Sequence, residues 1–141
     1  MRPFAAVGSL YVGDAIPERT FGPITRTDIV RYAGASGDFN PIHHDDRYAA
    51  AAGYPTVFAM GMYPAGILAS YISDYFGAET IRQFAVRFAQ QVWPGDELTC
   101  SGEIGSVKLG DGTLDLDANV VCKRQTGSVA ITGSTRLRIE I

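Results

Sequence analysis

Beyond Gly77 the hydrophobic pattern of this chain changes from a helical period to a period of two and keeps it almost to the end. Phe84, Val86 and Phe88 alternate with Ala85, Arg87 and Ala89. Leu98, Cys100 and Ile104 alternate with Thr99, Ser101 and Glu103, and Leu114, Leu116, Ala118, Val120 and Cys122 with Asp115, Asp117 and Asn119. Successive side chains of an extended strand point to opposite faces, so each run reads as a strand with one buried face. The turns come from "WPGD" at 93–96, "GDG" at 110–112 and "QTGS" at 125–128, and Leu137, Ile139 and Ile141 finish a last strand.

A sheet with one apolar face needs a cover. The stretch "GMYPAGILASYISDYFG", 61–77, supplies it, with Ile67, Leu68, Tyr71, Ile72, Tyr75 and Phe76 at helical spacings and apolar residues nearly all round; it should be buried on most sides. Two shorter helices are expected earlier. Thr25 and Thr27 are candidate N-caps, Asp28 suits a first turn, and Ile29, Val30, Tyr32 and Ala33 form an apolar face up to Gly34. Asp45 and Asp46 read as caps for "RYAAAAG", which ends at Gly53. From Arg2 to Pro23 the chain is turn-rich, with Gly8, Gly13, Pro17 and Gly22 breaking an entry strand or two. The expected class is α+β, an antiparallel sheet from the C-terminal half packed on one long apolar helix. Residues 1–141 carry no repeat or linker that would divide them, so they read as one domain.

Composition removes several function classes. With 46% hydrophobic and 19% charged residues over 141, the chain can bury an ordinary core. A net charge of -3 with scattered Lys and Arg gives no basic stripe for nucleic acid. No window approaches the roughly 18 apolar residues of a membrane span, and "MRPFAAVGSLYVGD" has no continuous apolar leader segment, so the chain reads as cytoplasmic. Cys100 and Cys122 lack C-x-x-C spacing and sit in strand-like runs, which suits reduced, buried thiols.

Both histidines fall in one short connection, "SGDFNPIHHDD", 36–46. Gly37 lets the backbone bend sharply, and Pro41 keeps Asn40 out of the α region, so Asp38 and His43 should ride on a stiff, non-helical loop. A carboxylate and an imidazole facing one small space can hold a water or hydroxyl and pass protons near neutral pH. From residue types alone an equally ordinary reading stands: Asp38 and Asn40 as turn formers and His43 as a satisfied, half-buried histidine. Metal is disfavoured, because the consecutive His43, His44, Asp45 and Asp46 cannot readily surround one ion and no distant His or Cys pair completes a site. Ser36 has no G-x-S-x-G elbow and no base of its own, so covalent catalysis is disfavoured too.

The stretch "YAGASGDFNPIHHDD" resembles the hydratase signature of the MaoC-like, R-specific enoyl-thioester hydratases and dehydratases, Y-x-x-x-[ST]-G-D-x-N-P-[LIV]-H-x-[DE]. Tyr32, Ser36, Gly37, Asp38, Asn40, Pro41, Ile42, His43 and Asp45 all match. The similarity extends through "VGD" at 12–14, "FAMGMYPAG", the apolar helix and "VRFAQQVWPGDEL", and is especially close to catalytic subunits of bacterial β-hydroxyacyl-carrier-protein dehydratases. What it implies is a single hot-dog fold, a curved antiparallel sheet wrapped around a central helix. It further implies a homodimer or a heterodimer with a related hot-dog subunit, the sheets joined edge to edge. In that family Asp38 and His43 would be the catalytic pair and Asn40 would orient the loop, with Ser36 and Pro41 as motif support. The Gly61 amide, at the start of the central helix, would bind the thioester oxygen. Met60 stands where the family commonly has His.

The implied reaction is reversible hydration of trans-2-enoyl thioesters of coenzyme A or acyl carrier protein, with no metal or cofactor. Two alternatives accompany it: a thioesterase on the same fold, and a non-catalytic subunit that binds acyl thioesters. The intact acid and histidine favour the hydratase.

Overall fold

The computed structural model describes residues 9–141; Gly8 and the apolar pieces before it lie outside them. Five strands form one antiparallel sheet: β1 (Ala15–Phe21), β2 (Ile81–Phe88), β3 (Leu98–Gly110), β4 (Thr113–Arg124) and β5 (Val129–Glu140). Their order across the sheet is β1-β3-β4-β5-β2. Register shifts interrupt every strand pair, at Ile16/Arg19, Ile81/Gln83, Ile104/Ser106 and Cys122/Lys123. Such bulges bend strands and raise their twist, so the sheet curls.

Into the curl lies α3 (Met62–Phe76), burying Pro64, Ala65, Leu68, Tyr71, Ile72 and Phe76. It is not covered all round: Met62, Gly66, Ser70 and Asp74, spaced by four, leave one exposed stripe. Close approach of helix to sheet depends on Gly133. A Cβ there would stand 3.0 Å from the Ala85 carbonyl, 3.1 Å from Val120 Cγ2 and 3.5 Å from Leu68 Cδ2. Tyr71, fully buried, aims its hydroxyl at the β1 bulge and donates to the carbonyls of Ile16 and Pro17, both at 3.1 Å. Burial, ahead of its neighbours, pushes this phenol well above its ordinary range. The architecture is the expected α+β hot-dog, with the C-terminal strands wrapped on a central helix.

Several local expectations shift. The first helix, α1 (Arg26–Ser36), runs past Gly34 because nothing there breaks the ladder. It stops at Gly37, which takes the left-handed conformation (φ 76°) and returns its N–H to Ala33. Thr25, not Thr27, caps it, in a reciprocal box with Asp28. Asp45 caps α2 (Asp46–Ala51), whereas Asp46 does something else: its carboxylate accepts both Arg26 nitrogens at 2.9 and 3.0 Å and the Thr56 hydroxyl at 3.0 Å. Those bonds, the Arg26 guanidinium foremost, hold its carboxyl below the usual range. The last strand starts at Val129, eight residues before the clear alternation, because Gly133 and Thr135 occupy inward positions there. Cys100 and Cys122 are free, buried and directly opposite across β3 and β4. Among the described residues no helix is long and apolar enough to cross a membrane.

Candidate active site

The motif is mounted as a relay of side-chain to backbone hydrogen bonds. Ser36 Oγ accepts from the Asp38 amide at 3.2 Å, Asp38 Oδ1 from the Asn40 amide at 3.3 Å, and Asn40 Oδ1 from the Ile42 amide at 3.1 Å. Short polar side chains stabilise turns in this way at the expense of helix. Asn40, extended at φ -56° and ψ 124°, thereby caps a single 3-10 turn over Pro41–His43, and its carbonyl accepts the His43 amide at 3.1 Å. The connection expected to be non-helical thus carries His43 on one tight turn. Pro41 opens that turn, where its missing N–H costs nothing.

His43 is the one buried member, 8% exposed. Its Nδ1 lies 2.7 Å from the Phe58 carbonyl. A carbonyl only accepts, so Nδ1 carries a proton and Nε2 is left facing the other side of the ring. That Nε2 faces Asp38 Oδ2 across 3.8 Å, too far for a direct hydrogen bond and close enough for both atoms to reach one oxygen placed between them. The His43 ring packs perpendicular to that of Phe58 (centroids 5.3 Å apart), which in turn meets Tyr54 at 4.7 Å and Trp93 at 5.5 Å. His44 turns elsewhere, its Nε2 3.3 Å from the Phe39 carbonyl, and Ser36 is occupied with the backbone.

Trp93 is held in turn by Asp96, a buried carboxylate that the sequence offered only as a turn residue. Asp96 accepts from the Trp93 amide at 2.8 Å, from Arg124 at 2.6 and 3.0 Å and from Gln125 at 2.9 Å. Burial pushes the Asp96 carboxyl up, but Arg124, Trp93 and Gln125 together outweigh it and hold it below the ordinary range. The chain entering α1 is clipped to the same turn, Ile24 N–H to the Asp96 carbonyl at 2.8 Å and Gly95 N–H to the Ile24 carbonyl at 2.6 Å.

Beside the pair opens a groove of about 430 Å³, lined by Asp38, by residues 58–62 and Pro64, by residues 88–92 and by Ile131. Gly61 stands at the N-terminal end of α3, where the first amides of any helix lack intrahelical acceptors and favour an anion. Asp38 and Gly61 therefore share one groove, with His43 set behind Asp38. Met60, 2% exposed, sits in the groove floor. Among the described residues no group of three or more His, Cys, Asp or Glu side chains is placed to hold a metal ion.

Sequence reasoning missed the far wall. Phe88 fits the inward-facing alternation of β2, yet it is 54% exposed and lines the groove. A Cβ added to Gly61 would meet its ring first, at 3.0 Å from Cδ1 and 3.1 Å from Cε1, so the space expected for substrate beside Gly61 is bounded by Phe88.

Residues 12–125 match the family described as MaoC like domain. The chain is 33% identical over 102 residues to the mitochondrial 3-hydroxyacyl-[acyl-carrier-protein] dehydratase of Arabidopsis thaliana, covering 70% of this chain and 60% of that one. It is 25% identical over 118 residues to the (R)-specific enoyl-CoA hydratase of Aeromonas caviae, covering 79% and 84%. For six of the curated relatives it spans only 5% to 60% of their length. Among solved structures it resembles the ChsH1–ChsH2 complex from Mycobacterium tuberculosis, with a TM-score of 0.78 and 27% identity over 92% of this chain and 98% of that one.

Proposed function

The chain belongs to the MaoC-like domain family, and we propose that it catalyses reversible hydration of trans-2-enoyl thioesters to (3R)-3-hydroxyacyl thioesters. The observation that carries this reading is the 3.8 Å gap between His43 Nε2 and Asp38 Oδ2 beside a groove that Asp38 and Gly61 both line. In the hydration direction a water held in the gap bonds through oxygen to Cβ. The pair takes one proton from that water and returns one to Cα as the enolate collapses. Negative charge peaks on the thioester oxygen, where the fixed Gly61 N–H would receive it; losing one such donor costs roughly 3 to 4 kcal/mol of barrier. Dehydration retraces the same path. Asn40, Ser36 and Pro41 serve by holding the turn that aims the pair.

The substrate is a coenzyme A or acyl carrier protein thioester, in keeping with the names of the relatives. We read residues 1–141 as one domain, acting in the cytoplasm, that pairs sheet edge to sheet edge with a second copy or with a related hot-dog subunit. A chain of this fold occurs in the ChsH1–ChsH2 complex, which is a precedent for assembly with a different subunit.

The test follows the absorbance of crotonyl-CoA and of a longer enoyl-CoA while free thiol is measured in parallel. Loss of conjugation without thiol release is expected. Thiol release would make the protein a thioesterase, and neither change with either substrate would make it a binding subunit.

A further inference from the structure

Gly61 and Phe88 come from different elements, the N-terminal end of α3 and the last residue of β2, yet the Phe88 ring lies on the face of Gly61 where a side chain would project. The ring is held from its own strand: Phe88 pairs with Ile131, and the next amide, Ala89, donates to the Ala130 carbonyl at 2.9 Å. More than half of it is nevertheless exposed, in the same groove as Asp38. A large apolar ring left half open beside a main-chain donor is a surface that gains when a flat, weakly polar group covers it.

We propose that Phe88 is a substrate-positioning residue, its ring covering the thioester group at the Gly61 amide and excluding water from it. This rests on the hydratase reading above and adds a second consequence. Glycine is required at 61 because of Phe88, so the two positions act as one unit. A thioester oxygen reaching the Gly61 N–H would lay its carbonyl plane along the ring, and the hydrogen bond would then form away from bulk water, where it is strongest. Replacing Gly61 by alanine would push the ring outward over the groove, so the damage would arise through Phe88.

The experiment is a double-mutant cycle on the full chain with G61A, F88A and G61A/F88A. It is read as kcat and KM for crotonyl-CoA and, separately, as calorimetric binding of 3-hydroxybutyryl-CoA, with thermal melts checking that each variant folds. F88A is expected to lose about tenfold or more in kcat/KM, and the same change in the G61A background should cost much less or restore activity. F88L should lie between wild type and F88A. An F88A value within about twofold of wild type, or losses that multiply independently, would overturn the proposal. Coupled losses in binding without turnover in wild type would leave Phe88 in its role and remove the hydratase reading instead. Absence of both binding and turnover in wild type would remove both.

Discussion

His43 Nε2 and Asp38 Oδ2 stand 3.8 Å apart, one on a buried ring and the other on a carboxylate 45% exposed. The separation is fixed from the histidine side, since Phe58 holds Nδ1 through its carbonyl and packs its own ring perpendicular to the imidazole. Asp38→Asn and His43→Ala should each lower enoyl-thioester hydration about 10²- to 10⁴-fold. The double variant should cost far less than the product of the singles, because the two serve one proton path. Turnover within a few fold of wild type in either single variant would remove the pair from the mechanism, and His44→Ala should be nearly silent.

Asn40 acts on the turn and not on the substrate. Asn40→Ala leaves the Ile42 amide uncapped and should cost about 1 kcal/mol, together with a fall in kcat as His43 loses its fixed approach. Asn40→Ser, which keeps an oxygen acceptor, should recover most of the stability in a urea melt. If Asn40→Ala melts like wild type, the cap adds nothing.

Asp96 should govern stability in acid. Its carboxyl is held below the usual range in the folded chain, so its contribution is fully present above the unfolded value of about 3.9 and is lost as pH falls through the lower folded value. Asp96→Ala strands Arg124 and should cost roughly 3 to 5 kcal/mol at pH 7. The measurement is the denaturant midpoint at pH 7 and at pH 3: the variant should lose less than wild type between the two. Equal losses would mean that this carboxylate is not the acid-sensitive group.

Tyr71→Phe keeps the volume of the core but removes the donor to two carbonyls at the β1 bulge. It should destabilise by about 1 to 3 kcal/mol while leaving kcat per folded molecule unchanged. A neutral melt would mean that water or a backbone shift satisfies the bulge instead.

Strands with period two and a long apolar helix are legible because burial writes itself into neighbouring residues: Leu114 to Cys122 needs no partner to be read. Caps such as Thr25 and Asp45 are legible for the same reason, their bonds closing within three residues. The 36–46 motif was recognisable as a pattern, and the short reach of its side-chain to backbone bonds explains why it survives as one. What stayed hidden depends on contacts between distant segments. Asp96 meets Arg124 28 residues on, Tyr71 caps a bulge 55 residues back, and Cys100 faces Cys122 only through the register of two strands. Phe88 was misassigned because alternation assumes a sheet covered along its whole length, and the end of β2 is not.

The sheet order also sets when the groove can exist. Asp38, His43, Gly61 and Phe88 have all been made before β3 begins, but β2 has no strand to pair with until Val129–Glu140 arrives. Until then Phe84, Val86 and Phe88 sit on a strand unpaired at both edges, the kind of surface that recruits other chains. Formation of the site therefore waits for β5. Cells making this protein quickly should accumulate aggregates whose formation is limited by completion of the last hairpin and relieved by chaperones that shield a lone strand.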